Sequence, residues 1–154
     1  MNTPQFEARD PDFEARVRAS FARQAAMATI GATLASVAPG RVTIELPYAQ
    51  ALTQQHGFIH AGMLATALDS ACGYAGSTLM AADAGVLTIE FKINLLAPAQ
   101  GQLFRLCGEV IKPGRTVTVT EGRAWAVDAQ GHEKLVATMV ATLLAVTGRD
   151  NILH

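Results

Sequence analysis

The sequence predicts an α+β fold: an antiparallel sheet wrapped around one long central helix, with an extra helix in front. Three observations predict it. Residues 60–80, HAGMLATALDSACGYAGSTLM, are apolar, small or hydroxylated on every side except for His60 and Asp69, and a helix that is apolar all round is a buried helix. Four strand-like runs follow, separated by turn chemistry at Pro98–Gly101, Lys112-Pro113-Gly114 and Asp128–Gly131. Two shorter alternating runs precede the helix. Tight turns between the last four strands make them antiparallel, and the long helix must cover their apolar face.

The first element is an amphipathic helix over 10–27. Asp10 at the N-cap with Pro11 at the first helical position is a favoured start, and Phe13, Val17 and Phe21 recur every four residues as one apolar stripe. From Ala32 the period changes to two. Ala32–Val37 is a weak strand, Ala38-Pro39-Gly40 a turn, and Arg41–Leu46 sets Val42, Ile44 and Leu46 against Arg41, Thr43 and Glu45. Pro47–Ile59 is irregular and polar and leads into the central helix, 60–80. Beyond it, Val86–Leu95 places Leu87, Ile89, Phe91, Ile93 and Leu95 on one face and Thr88, Glu90, Lys92 and Asn94 on the other. Gln102–Ile111, Thr116–Val127 and Lys134–Val146 complete the sheet, and 147–154 reads as a frayed tail. No repeat, linker or low-complexity block divides the chain, so 1–154 reads as one domain.

The bulk composition narrows the function. With 154 residues, half of them hydrophobic, the chain suffices for one core. A net charge of −1 without any basic block points away from nucleic acid and from an anionic membrane surface. The 60–80 run has the length of a membrane span, but its central Asp69 and three glycines argue against one. The acidic N-terminus lacks the apolar core of a secretory signal. Cys72 and Cys107 lie in apolar segments and read as buried thiols of a reducing compartment, with Cys72 a small filler, since no partner that would lower its pKa is visible. The expected location is the cytoplasm, with no metal site and no cofactor.

A lone carboxylate on a buried helix must be paired, protonated or working. Gly62, Ala65, Thr66, Cys72, Gly73 and Gly76 fall within roughly 60° of Asp69 at about 3.6 residues per turn, so the acid sits in a stripe of small residues. Such a stripe admits a close helix or sheet contact, or a slender ligand. His60 lies nine residues earlier, and nine steps of about 100° leave the two half a turn apart. One chain cannot easily aim both into one pocket. Two chains related by a two-fold axis can.

The segment Leu52-Thr-Gln-Gln-His-Gly-Phe-Ile-His60-Ala-Gly62, followed by Asp69 nine residues after His60, resembles the hotdog-fold acyl-CoA thioesterases of the PaaI type. The resemblance extends through Gly85–Pro98 and the Lys112–Thr116 turn, about Leu52 to Thr120 in all. It implies a hotdog fold, hydrolysis of an acyl-CoA, CoA as part of the substrate, and a homodimer with its sites at the subunit interface, with pairing into a dimer of dimers left open. The family's His-Gly-Gly stands here as His60-Ala61-Gly62, and its Asn fifteen residues before the acid is Gln54. Ala61 still offers a backbone N–H, while Gln54 keeps the amide with a longer reach.

Read through that resemblance, Asp69 is the nucleophile or general base. The Ala61 and Gly62 N–H groups at the helix start polarise the thioester carbonyl. His60 orients the thioester, and Gln54 holds Asp69 or the water. Thr88 occupies the position of a Ser/Thr that binds the attacking water, although strict alternation puts it on the polar face of its strand. His56 and Gly57 shape the pocket rim. Lys112, Gly114, Arg115 and Thr116 form a positive hairpin tip, read as a type II turn, that can grip CoA phosphates. The Leu- and Met-rich helix favours a medium-chain or fatty acyl group over an aryl one, because no polar group is evidently placed to read a hydroxylated ring. Two other functions fit the same residues. One is a hotdog hydratase or dehydratase of acyl thioesters, the other a non-catalytic acyl-CoA-binding protein.

Overall fold

The computed structural model describes residues 5–152. In chain order the elements are α1 (Phe13–Arg23), α2 (Ala25–Ile30), β1 (Thr33–Ala38), β2 (Arg41–Pro47), a 3-10 turn at Gln50–Leu52, α3 (Ala61–Ser77), β3 (Gly85–Leu95), β4 (Leu103–Lys112), β5 (Val117–Val127) and β6 (Glu133–Val146). The six strands form one sheet in the order β1-β2-β4-β5-β6-β3, every pairing antiparallel. Helix α3 lies across its inner face. None of the helices among the described residues is long and apolar enough to cross a membrane.

The sheet is antiparallel as expected, but β3 and β4 are not a hairpin. β3 pairs with β6 and forms one edge, while β4 sits between β2 and β5. The segment joining β3 to β4 spends its hydrogen bonds elsewhere: Leu96 N–H donates to Val136, Ala99 C=O accepts from Ile59 and Gln102 N–H donates to Val127. Pro98 cannot donate at all. The chain therefore crosses the end of the sheet instead of turning back.

Two glycines set the seat of the central helix. Gly108 on β4 and Gly122 on β5 are directly opposite each other. A Cβ on Gly108 would lie 2.3 Å from the Ala71 carbonyl oxygen, and one on Gly122 would lie 2.9 Å from Cys72 Sγ. Their bare backbones form a trough in which α3 rests on the sheet. Leu64, Ala67, Leu68, Ala71, Cys72 and Ala75 then join Ile44, Leu46, Phe104, Leu106 and Leu143 in the core.

The N-terminal helix is divided. Asp12, not Asp10, is the residue before α1, and Asp10 instead accepts from the Asp12 N–H and bonds Arg16 at 2.8 Å. Pro11 therefore precedes the first helical residue. Arg16 continues inward, donating to Ser77 Oγ and to the Ser77 and Met80 carbonyls, so a cation closes the C-terminal end of α3. At Gln24 the backbone becomes extended (φ −78°, ψ 95°), which ends α1 and starts α2. Phe21 packs on Tyr74 with ring centroids 5.9 Å apart.

Two turns depart from the sequence expectation. Gly114 lacks the positive φ that a type II turn demands. Glycine is required there because a Cβ would collide with the Val117 carbonyl oxygen at 1.9 Å. After α3, residues 78–80 continue as turns, so the helix stops at Ser77. Past β6 the chain turns again and brings Ile152 onto Gly85.

Candidate active site

The start of α3 is built by a miniature hairpin. Thr53 bridges Ile59, Gln54 N–H donates to Phe58 C=O, and His60 N–H donates to Leu52 C=O. The tip turns at Gly57, whose φ of 83° favours glycine, and His56 sits exposed there. His60 ends the loop as the N-cap of α3. Its Nδ1 accepts from Gly62 N–H at 2.9 Å. A nitrogen that accepts carries no proton, so His60 is the tautomer whose Nε2–H is the donor. This alters the expected pair of oxyanion donors: Gly62 N–H is engaged by the ring. Ala61 N–H, the first of the helix, has no acceptor among the described residues, and the φ of Ala61 is not positive, so its Cβ is tolerated. Ala61 N–H and His60 Nε2–H are the free donors at this helix start.

Gln54 does not reach Asp69 within the chain. Its side-chain oxygen accepts from the His56 N–H. With Phe58, His60, Ala61 and the Leu95–Ala99 segment it lines a cavity of about 580 Å³.

Asp69 lies on another side. Thr88 Oγ1 donates to its Oδ1 at 2.8 Å, which strict alternation along β3 would have forbidden. The cause is a β-bulge. Thr88 pairs with Leu143 and Glu90 with Thr142, leaving Ile89 unpaired. Residues opposite one another share a face, and Leu143 is fully buried beside Gly76 of α3. Thr88 is thus turned inward before the bulge, and Phe91, Ile93 and Leu95, paired with buried Ala141, Met139 and Ala137, are inward after it. One inserted residue puts both a polar group and an apolar row on the helix side. Burial raises the Asp69 pKa above its ordinary value, and the Thr88 hydrogen bond opposes that rise.

Asp69 and Thr88 share a cavity of about 320 Å³ with Gln24, Ser70, Gly73, Tyr74, Val86 and Leu87. Gln24 and Tyr74 carry no motif, and only the loss of the four-residue repeat after Phe21 marks Gln24 as a break in the helix. Within the small-residue stripe, Gly62 is exposed and Ala65, Thr66 and Asp69 are half-buried, whereas Cys72, Gly73 and Gly76 are packed away. Cys72 is no nucleophile: burial pushes its thiol up to about 12 against the opposing Thr120 hydrogen bond. Lys112, Arg115 and Thr116 lie exposed at the β4–β5 turn, where Gly114 N–H donates to Thr118 Oγ1. Pro113 and Gly114 line a cavity with Leu79 and Met80 beyond the C-terminal end of α3, the end away from His60.

A long helix laid on one antiparallel sheet, with a His-capped N-terminus and a half-buried acid two and a half turns on, defines a hotdog fold. Comparisons agree. The thioesterase superfamily model matches residues 56–131. A Saccharolobus solfataricus protein described as an esterase is 38% identical over 82 residues, covering 53% of this chain and 58% of its own length. A second esterase-described protein of that organism is 30% identical over 113 residues, covering 73% and 72%. The solved structure of a thioesterase family protein from Silicibacter pomeroyi is 54% identical with a TM-score of 0.86, over 88% of this chain and 99% of that one. The E. coli PaaI protein from the phenylacetic acid degradation operon shares the fold, with a TM-score of 0.77 at 19% identity over 89% and 95% of the two chains. This chain belongs to the thioesterase superfamily, and it shares its hotdog fold with the PaaI protein. The chain spans 58% and 64% of the first two relatives' lengths.

Proposed function

We propose that the protein is an acyl-CoA thioesterase acting as a homodimer, with Asp69 of one protomer facing the His60–Ala61 turn of its partner. One observation carries this reading. A single chain holds the acid and the free N–H donors in two separate cavities, about 13 Å apart along α3 and half a turn around it. The surface around the acid is unfinished. β3 is a free sheet edge bearing Leu87, Ile89, Phe91 and Leu95, all 44% or more exposed, and the stripe of α3 is open along Gly62, Ala65 and Thr66. Exposed edges and apolar patches of this kind are covered in working proteins. A second copy of the same surface completes the site.

In that arrangement Ala61 N–H and His60 Nε2–H polarise the thioester carbonyl and hold the developing oxyanion. The ionised Asp69 either attacks the carbonyl carbon, expelling CoA thiolate and leaving a mixed anhydride for water to cleave, or takes a proton from the water that attacks. Thr88 holds the carboxylate in place and favours its charged form. Lys112 and Arg115, exposed and without an ion-pair partner among the described residues, supply charge for CoA phosphates. The substrates are medium-chain, fatty or aryl acyl-CoAs.

Free thiol release across an acyl-CoA panel tests the reading. The wild type turns over, and Asp69→Asn lowers kcat by about 10²–10⁴-fold while still binding substrate. Turnover that survives Asp69→Asn overturns the assignment of the acid. Binding without thiol release by the wild type makes the protein an acyl-CoA binder instead.

A further inference from the structure

The cavity beside Asp69 contains a polar pair that the hydrolysis does not use. Ser70 Oγ lies 3.2 Å from Gln24 Nε2 and 3.4 Å from Gln24 Oε1. Ser70 is only 8% exposed, and both residues line the space that Asp69 opens into. These distances are at the long end of hydrogen bonding. The hydroxyl accepts from one amide N–H and donates to the amide oxygen, so Gln24, which lines the cavity, keeps a second N–H and a second oxygen lone pair unused by Ser70. Gln24 is delivered by the break between α1 and α2, and it lies outside the 56–131 segment that the family model matches.

Resting on the thioesterase reading, we propose that Gln24, seconded by Ser70, is a specificity-determining residue that reads a hydroxyl group on the acyl part of the substrate. Three chemistries can be weighed against this wall. A plain alkyl chain would strip water from Gln24 and Ser70 and return no hydrogen bond, which carries a cost. An acyl group ending in a carboxylate would meet the charge of Asp69, and no Lys or Arg lines the cavity. A hydroxyl both donates and accepts, which matches what the amide and Ser70 leave free.

The test compares kcat/KM within pairs of acyl-CoAs that differ by one hydroxyl: hexanoyl with 3-hydroxyhexanoyl, and benzoyl with 3-hydroxybenzoyl. In the wild type the hydroxylated member of at least one pair is favoured by about tenfold, the yield of one well-made hydrogen bond. Gln24→Leu brings that ratio close to one, whereas a merely structural loss lowers both members equally. Ser70→Ala gives an independent reading of the same ratio should Gln24→Leu fail to fold. A wild-type ratio near one in both pairs, or a ratio that survives the substitution, overturns the proposal. If the wild type hydrolyses none of these compounds, the thioesterase reading fails. The same pairs are then compared as non-hydrolysable thioethers by calorimetry, where a hydroxyl preference lost in Gln24→Leu upholds the role of Gln24 and its absence ends it.

Discussion

Phe91 on the free edge of the sheet gives the sharpest handle on how the site is assembled. Its ring is 45% exposed although the bulge at Ile89 turns it to the helix side. Of the roughly 200 Å² that a Phe can bury, about 90 Å² is left for a partner. At about 25 cal/mol per Å², covering it contributes about 2 kcal/mol per protomer. A two-fold axis counts the residue twice, so Phe91→Ala removes about 4 kcal/mol from dimer formation, near a thousandfold in dissociation constant. The rest of the side chain is packed within the protomer, so the substitution also costs each chain about 3 kcal/mol of folding stability, and circular dichroism on the same samples separates dissociation from unfolding. Sedimentation equilibrium over a dilution series, with thioester turnover recorded on the same samples, reads the effect. The variant dissociates at far higher protein concentration than the wild type, and its turnover per chain falls in step with the dimer fraction. A dissociation constant unchanged by the substitution, or a dissociated variant with full turnover, would refute the placement of the site at this edge.

Two further substitutions probe the parts within one chain. Thr88→Val keeps the shape and removes the hydroxyl that opposes the burial-driven rise in the Asp69 pKa. Activity needs the carboxylate form, so it appears as pH rises through that pKa. The acid limb of the kcat/KM profile therefore moves to higher pH in the variant, and an unmoved limb contradicts the role given to Thr88. Gly108→Ala drives a methyl into the Ala71 carbonyl and the Cys72 backbone, at 2.3 and 2.5 Å. It destabilises the fold by about 3 kcal/mol, seen as a lower midpoint in denaturant. For Gly122→Ala the three nearest atoms are the side-chain atoms Cys72 Sγ and Leu68 Cδ1 and Cγ, at 2.9–3.0 Å instead of 2.3–2.5 Å from backbone, so it costs less. Equal midpoints for the two would contradict the trough.

Much of the fold could be read in the sequence because its signals are local and periodic. The run at 60–80 could only be buried, and the alternation of Val42, Ile44 and Leu46 marked an inner face that the structure keeps at 0% exposure. What could not be read depends on contacts distant along the chain. The placement of β3 beside β6 follows from bonds that the 96–102 segment makes to Val136, Ile59 and Val127, none of which shows in its own residues. The bulge at Ile89 inverts the parity of β3 without a glycine to announce it, so Thr88 reads as outward although it bonds Asp69. Gly62 N–H was an expected oxyanion donor by its position, and only the Nδ1 of His60 takes it out of use. Gln24 stands at a helix break whose purpose appears only when Ser70 is seen opposite.

The central claim is that each active site draws its acid from one chain and its oxyanion donors from another. Two variants, each inactive for a different reason, test it most directly: Asp69→Asn and His60→Ala, co-expressed with distinct tags and purified as the mixed dimer. Shared sites give the mixed dimer one intact site, carrying Asp69 from the His60→Ala chain and His60 from the Asp69→Asn chain, so turnover recovers to about half of the wild-type dimer value. A mixed dimer as inactive as its two parents would place both residues in one chain's site and contradict the account.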